Sequence, residues 1–184
     1  MKSIAVSVCE PLPSEWQNSL DSLISNGYSL EWFSTAAERL QMETRIRNRE
    51  FHAVLDCAAS DLIGQPSSNR LTAAGLMGIP QIICVGGIDF HFGENRPTTA
   101  EECDTVGKVI VERACAATGP TKVMVPLKGF SKRTQNPTAN AALLQSMRNW
   151  VYPPELLMEV DLHYSDETFG NVVVERLRSG MEKV

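Results

Sequence analysis

The sequence predicts an α/β domain: a doubly wound, mostly parallel six-stranded sheet in a Rossmann-like three-layer sandwich. Three observations carry this. Short apolar runs rich in β-branched residues alternate with helical patterns six times. Several helical patterns open on capping residues and close on glycine. The chain has 184 residues, 43% hydrophobic and 21% charged, which suits one domain over 1–184 with a real core. Alternating units imply parallel strands with helices on both faces, and right-handed crossovers then force a doubly wound sandwich.

Residues 4–9 form a short β-rich run. Ser14 with Gln17 three residues on reads as a capping box, and Trp16, Leu20, Leu23 and Ile24 lie on one face of the helix that follows, which stops at Asn26-Gly27. Residues 28–33 are the second strand. Thr35 and Glu38 make another capping box, and the Arg- and Glu-rich helix after it, to about residue 49, is most simply charged on a solvated face. Residues 51–57 are the third strand, ending on Asp56 and Cys57; residues 70–77 read as a helix closed by Gly78. Residues 79–85 are the fourth strand. Gly86-Gly87 lets the backbone turn tightly, and Asp89, His91 and Arg96 follow in a loop that runs to Thr99, where a helix begins with Val106, Val109, Ile110 and Ala114 as its stripe. Residues 122–126 are the fifth strand. Asn136-Pro137 starts the next helix, as an N-cap followed by proline. Residues 156–162 are the sixth strand, before a last helix carrying Phe169, Val172, Val173 and Leu177.

Net charge of −5 argues against nucleic-acid and anionic-membrane partners, since neither is attracted to an acidic surface. No apolar run approaches a membrane span, and the start has too short an apolar stretch for a signal peptide. The five scattered cysteines include no CxxC pair, so a cytoplasmic protein with reduced thiols and no structural metal is expected.

The strands of a parallel sheet point their carboxyl ends one way, and ligands sit at that edge. The candidate ligand-binding residues there are Asp56, Gly86, Gly87, Asp89, Arg96, Lys128, Gly129, Ser131 and His163. Lys128, Lys132 and Arg133 cluster in one loop, and lysine, arginine and backbone N–H groups can hold a small anion. Each residue has a plainer role beside this one. Gly86-Gly87 is an ordinary tight strand exit, and no GxGxxG or GxxxxGK[ST] occurs. Asp89 can bond its own backbone. His163 with Asp166 reads as an oriented general base, or Asp166 or Ser165 simply caps the last helix. Cys57 reads as a nucleophile or, more simply, as a buried strand-end thiol.

The chain resembles the second, C-terminal domain of the Tm-one-like family, that of the tomato mosaic virus resistance protein and its bacterial and fungal relatives. The similar segments are Arg70-Leu-Thr-Ala-Ala-Gly75, Gly78-Ile-Pro-Gln81, Gly86-Gly-Ile-Asp89, Arg96-Pro-Thr-Thr-Ala-Glu-Glu102, Pro126-Leu-Lys-Gly-Phe-Ser131 and His163-Tyr-Ser-Asp166 with Phe169. The resemblance implies a Rossmann-like domain that follows a first α/β domain, to which the family's ATP binding chiefly belongs and which this sequence does not include. The family's Gly-rich loop reads here as Ser34-Thr-Ala-Ala-Glu-Arg39, and only Asp56 matches in its Thr-rich loop.

Two function classes follow. One is a module binding a small anionic or nucleotide-type ligand, working as a homo-oligomer or with a separate first-domain subunit. The other is an enzyme acting on a carbonyl or acyl substrate, with His163 as base and Lys128 or Arg96 as anion clamp.

Overall fold

The computed structural model describes residues 2–91, 94–131 and 136–184. Its strands are β1 (Lys2–Val8), β2 (Tyr28–Phe33), β3 (Ala53–Cys57), β4 (Gln81–Cys84), β5 (Phe90–His91), β6 (Arg96–Pro97), β7 (Thr121–Pro126) and β8 (Leu157–Val160). The helices are α1 (Gln17–Ser25), α2 (Ala36–Arg47), α3 (Ala73–Met77), α4 (Ala100–Cys115), α5 (Pro137–Trp150) and α6 (Glu167–Met181). Six strands form one sheet in the order β2-β1-β3-β4-β7-β8, and every neighbouring pair is parallel. The predicted fold class is therefore the observed one. The connection leaving β1 runs to one side, to β2, and the connection leaving β3 runs to the other, so the topological switch point lies between β1 and β3.

The central strands β3 and β4 are buried along their whole length because both faces of the sheet are covered there, while the edge strands β2 and β8 are only partly buried. Period two is still legible in where each residue packs. Ile4, Val6, Leu55, Cys57, Ile82, Cys84 and Met124 pack with Trp16, Leu20 and Phe169 of the α1 and α6 layer. Ile83, Val85, Val123 and Val125 point the other way, onto Val106, Ile110 and Leu143 of α4 and α5. Ala5 and Val54 meet Met42 and Ile46 of α2 on that second face.

The capping boxes of α2 and α4 form as the spacing predicts: Thr35 accepts from the Glu38 N–H and Thr99 from the Glu102 N–H, and each glutamate returns to the cap backbone. Asn136 accepts from the Ala139 N–H at 3.2 Å. Four expectations are corrected. Ser14 caps nothing; a single 3-10 turn, Ser14–Trp16, comes first, and the Ser14 hydroxyl bonds Glu15. The helix before Gly78 is only α3, because Leu71 holds a positive φ of 62° that no continuous helix allows. Within the loop after Asp89, β5 and β6 pair as a small antiparallel hairpin. The face of α2 is not wholly solvated: Arg39 and Glu43 are turned into the protein and buried.

Candidate ligand-binding rim at the carboxyl edge

At the first half of the rim, the exits of β1, β2 and β3 are tied by charge. Arg39 comes up from α2. Its Nη1 donates to the carbonyls of Val8 and Ser34 at 2.6 and 2.7 Å, and its Nε and Nη2 grip both oxygens of Asp61 at 2.5 and 2.7 Å. The Nη1 bonds tie the last residue of β1 to the first residue beyond β2, and the bidentate fork onto Asp61 anchors the guanidinium that makes them. Beneath it, Arg70 donates to Asp56 at 2.6 Å and to Glu43 at 3.0 Å, and its Nε lies 3.4 Å from Asp61. Arg70, Asp56 and Glu43 are 3%, 1% and 3% exposed, so none of these charges is left to water. Burial works against the Arg70 charge, but Asp56, Glu43 and Asp61 outweigh it and hold the guanidinium above its ordinary pKa. Burial pushes the Glu43 carboxyl up; Arg70 and the N–H groups of Ala73 and Leu71 oppose the rise. Arg113 of α4 closes the loop by donating to the carbonyls of Pro66, Ser68 and Arg70, each at 2.7 Å. Asp56, a predicted ligand-binding residue, thus sits inside this network and also accepts from the Ala58 N–H at 3.0 Å.

Cys9 leaves β1 at the edge of the same cluster. Its Sγ lies 3.3 Å from Asp61 and receives the Ser60 hydroxyl at 3.0 Å. Burial first, then the Asp61 charge, pushes the thiol up to about 12, which keeps it protonated. Beside it opens a cavity of about 360 Å³ between the exits of β1 and β2, walled by Leu12, Leu20 and Trp32 with Ser14, Gln17 and Ser34.

At the second half of the rim, close approach of backbone and rings joins the loops, with the buried Asp89 carboxylate among them. The loops after β4, β7 and β8 come together, as the topology requires. Gly87 donates its N–H to Phe130 at 2.7 Å, Tyr164 donates to Gly129 at 2.9 Å, and the Ser131 hydroxyl donates to Asp89 at 3.1 Å. Gly86 is covered by the Tyr164 ring, whose nearest atom would lie 2.1 Å from an added Cβ. Gly129, at φ 139°, is covered by the His163 ring, 2.5 Å from the corresponding point. Both glycines therefore admit rings of the same chain. Tyr164 in turn packs at a tilt against Trp16, with ring centroids 5.1 Å apart, which ties this loop to the turn before α1.

Among the described residues, the two predicted cations of this half, Arg96 and Lys128, already have carboxylate partners. Arg96 in β6 is gripped by Glu102 at 2.6 and 2.9 Å and by Glu94 at 2.6 Å. Lys128 lies 3.2 Å from Asp161, with 57% of its side chain exposed, and lines a cavity of about 290 Å³ with Gly129, Pro137 and Asn140. Lys132 and Arg133 lie outside the described residues.

The His163–Asp166 pairing is corrected. Asp166 accepts the His163 backbone N–H at 2.8 Å, not a ring proton. The imidazole Nδ1 meets the Ser165 hydroxyl at 2.8 Å and accepts the Ser165 N–H at 3.1 Å, so in the neutral ring the proton sits on Nε2. Asp166 holds the N-cap position of α6 but caps no helical N–H with its side chain. Cys57 is a buried strand-end thiol; its contact with Cys84 and its burial push its pKa well up. Among the described residues no group of three or more His, Cys, Asp or Glu could hold a metal ion, and no helix is long and apolar enough to cross a membrane.

Sequence reasoning missed Arg39, Glu43 and Asp61, and it placed Arg70 only in a helix.

Fold and rim define the class: a doubly wound parallel α/β domain whose carboxyl-edge loops are locked in place. Over residues 94–181 the chain matches the C-terminal domain of UPF0261, an uncharacterised protein family. A UPF0261 protein of Clostridium tetani (strain Massachusetts / E88) is 29% identical over 198 residues, covering 88% of this chain and 49% of that protein. The chain thus spans about half the length of this curated relative. These matches overturn the resemblance to the Tm-one-like family, because the family model and the relative that fit the chain are both UPF0261. Among solved structures, an ABC transporter solute-binding protein from Agrobacterium vitis with bound D-fucose is similar at 16% identity and a TM-score of 0.34, over 89% of this chain and 58% of that one.

Proposed function

We propose that the chain is a small-molecule-binding domain whose ligand sits in the cavity between the exits of β1 and β2. The Arg39 clamp carries this reading. One buried side chain fixes the carbonyls of Val8 and Ser34, and both residues line the cavity. Walls held before the ligand arrives lower the ordering cost of binding. Among the described residues the lining has no lysine or arginine and a single carboxylate, Glu10. An apolar shell with a few placed polar groups fits a compact hydroxylated or aromatic molecule, stacked on Trp32 and bonded to Ser14, Gln17 or Ser34. A small anion is better served by the second half of the rim, where Lys128 lines its own cavity. Working as a homo-oligomer is part of this reading. It is supported by Ile24 and Trp32, which are 54% and 44% exposed beside the open edge of β2; light scattering that gives a monomer mass at micromolar concentration counts against it.

Thermal-shift screening of the full chain against monosaccharides, nucleosides and short carboxylates tests the reading. Trp32→Ala should weaken a hit by about tenfold or more, and Lys128→Ala should leave it unchanged. A hit lost in Lys128→Ala and kept in Trp32→Ala assigns the anion site instead. Hits indifferent to both variants remove the ligand from this rim.

A further inference from the structure

The amino-terminal edge of the sheet carries a cavity that no part of the rim reaches. It is about 380 Å³, within the range of small-ligand clefts, and opens between the starts of β4 and β7 and the last turns of α6. Pro80, Pro120, Leu156 and Leu177 make its walls apolar. Three cations stand around it, Lys122, Arg176 and Lys183, against the single carboxylate of Glu155. This is an excess of positive charge on a chain whose net charge is −5.

The cations are not spent on each other's neighbours. The Lys122 ammonium donates to the backbone carbonyl of Glu155, which fixes it at one wall. Arg176 and Lys183 make no side-chain hydrogen bond or ion pair with any described residue, and both are exposed. Cations near the end of a helix complement its macrodipole, and that alone accounts for Lys183 after the last turn of α6. It does not account for Lys122 on the facing strand β7, nor for an open apolar cleft between them.

We infer that this amino-edge cavity binds an amphipathic monoanion, an acyl or aryl carboxylate whose apolar body lies between Pro80, Pro120 and Leu177 and whose head group is held by Arg176 and Lys183. Free apolar walls supply affinity through burial, and the two unpaired cations select the ionised head over a neutral one. The arrangement is independent of the rim site, being on the opposite edge of the same sheet.

Titration of the full-length 15N-labelled chain with sodium octanoate tests it. Saturable shifts are expected at the amides of Gly119, Leu177, Ser179 and Gly180, with the Trp32 indole unmoved. Octanol, which has the same tail and no charge, should bind at least about tenfold more weakly, as should octanoate to an Arg176→Glu/Lys183→Glu variant. Because both changes are at exposed positions, circular dichroism should show the variant folded; if it is not, the weaker Arg176→Gln/Lys183→Gln pair carries the same comparison. Equal binding of octanol and octanoate, unchanged affinity in a folded variant, or shifts confined to the rim overturns the assignment. The last outcome would leave the rim reading intact, and absence of rim ligands would leave this one intact.

Discussion

Around β1, β2 and β3, the rim loops are joined through buried charge: Arg39 and Arg70 reach from α2 and from the loop before α3 to Asp61, Asp56 and Glu43. Around β4, β7 and β8, they are joined mainly by backbone hydrogen bonds and by rings laid on glycines, Tyr164 on Gly86 and His163 on Gly129, with one buried side-chain bond from Ser131 to Asp89. Both solutions lock a strand exit, but they fail differently. A charge network is intolerant of losing one member, because the remaining charges stay buried without a partner. A glycine–ring contact is intolerant of gaining an atom, because there is no volume to receive it. The first kind of lock can present polar groups to a neighbouring cavity; the second fills its own space, which is why the predicted glycines hold parts of the chain rather than open ground.

The largest effect should come from Arg70→Met. It leaves Glu43 and Asp56 facing each other in a dry interior, and should cost about 3–5 kcal/mol in urea denaturation. A cost below about 1 kcal/mol would show that the network is dispensable and would erase the contrast between the two halves. Gly86→Ala comes next. Its Cβ would meet the Tyr164 ring at 2.1 Å, so the ring must move off Trp16, at about 1–3 kcal/mol. Adding Tyr164→Leu should then be less than additive if the clash is the cause, and a strictly additive double variant would place the strain elsewhere.

The smallest effect concerns pH. Arg96 first, and then the Thr99 N–H, hold the Glu102 carboxyl at about 2, below its ordinary 4.5. A carboxyl depressed by folding contributes stability that is complete above 4.5 and is lost as pH falls from there toward 2. Glu102 lies at a partly exposed edge, so solvent screening keeps the contribution within the ~1 kcal/mol of a surface pair. Glu102→Gln should flatten that portion of the acid limb of a stability curve; an identical limb in both proteins would take the pair out of the balance.

Much of the architecture could be read from local pattern. The period-two packing of Ile82, Ile83 and Cys84, the capping boxes at Thr35 and Thr99, the Asn136-Pro137 start and the Gly78 stop are all decided within a few residues of chain, by backbone sterics and by hydrogen bonds to the nearest N–H groups. The convergence of Gly87, Asp89, Ser131 and His163 on one edge was also legible, since parallel strands and right-handed crossovers leave no other place for their loops. What only the tertiary structure decided is the use made of those residues. The Arg39–Asp61 and Arg70–Asp56 pairs join positions 22 and 14 residues apart, across different elements. A helix rich in arginine and glutamate has the same composition whether its charges face water or each other. Likewise nothing near His163 in the chain reveals that Asp166 binds its backbone and that Ser165 takes its ring. The sequence alone sets which groups can be brought to an edge, because that is a matter of local conformation and topology; which of them pair, which stay open to a ligand and which are buried is set by packing in three dimensions, where contacts between distant segments compete for the same space.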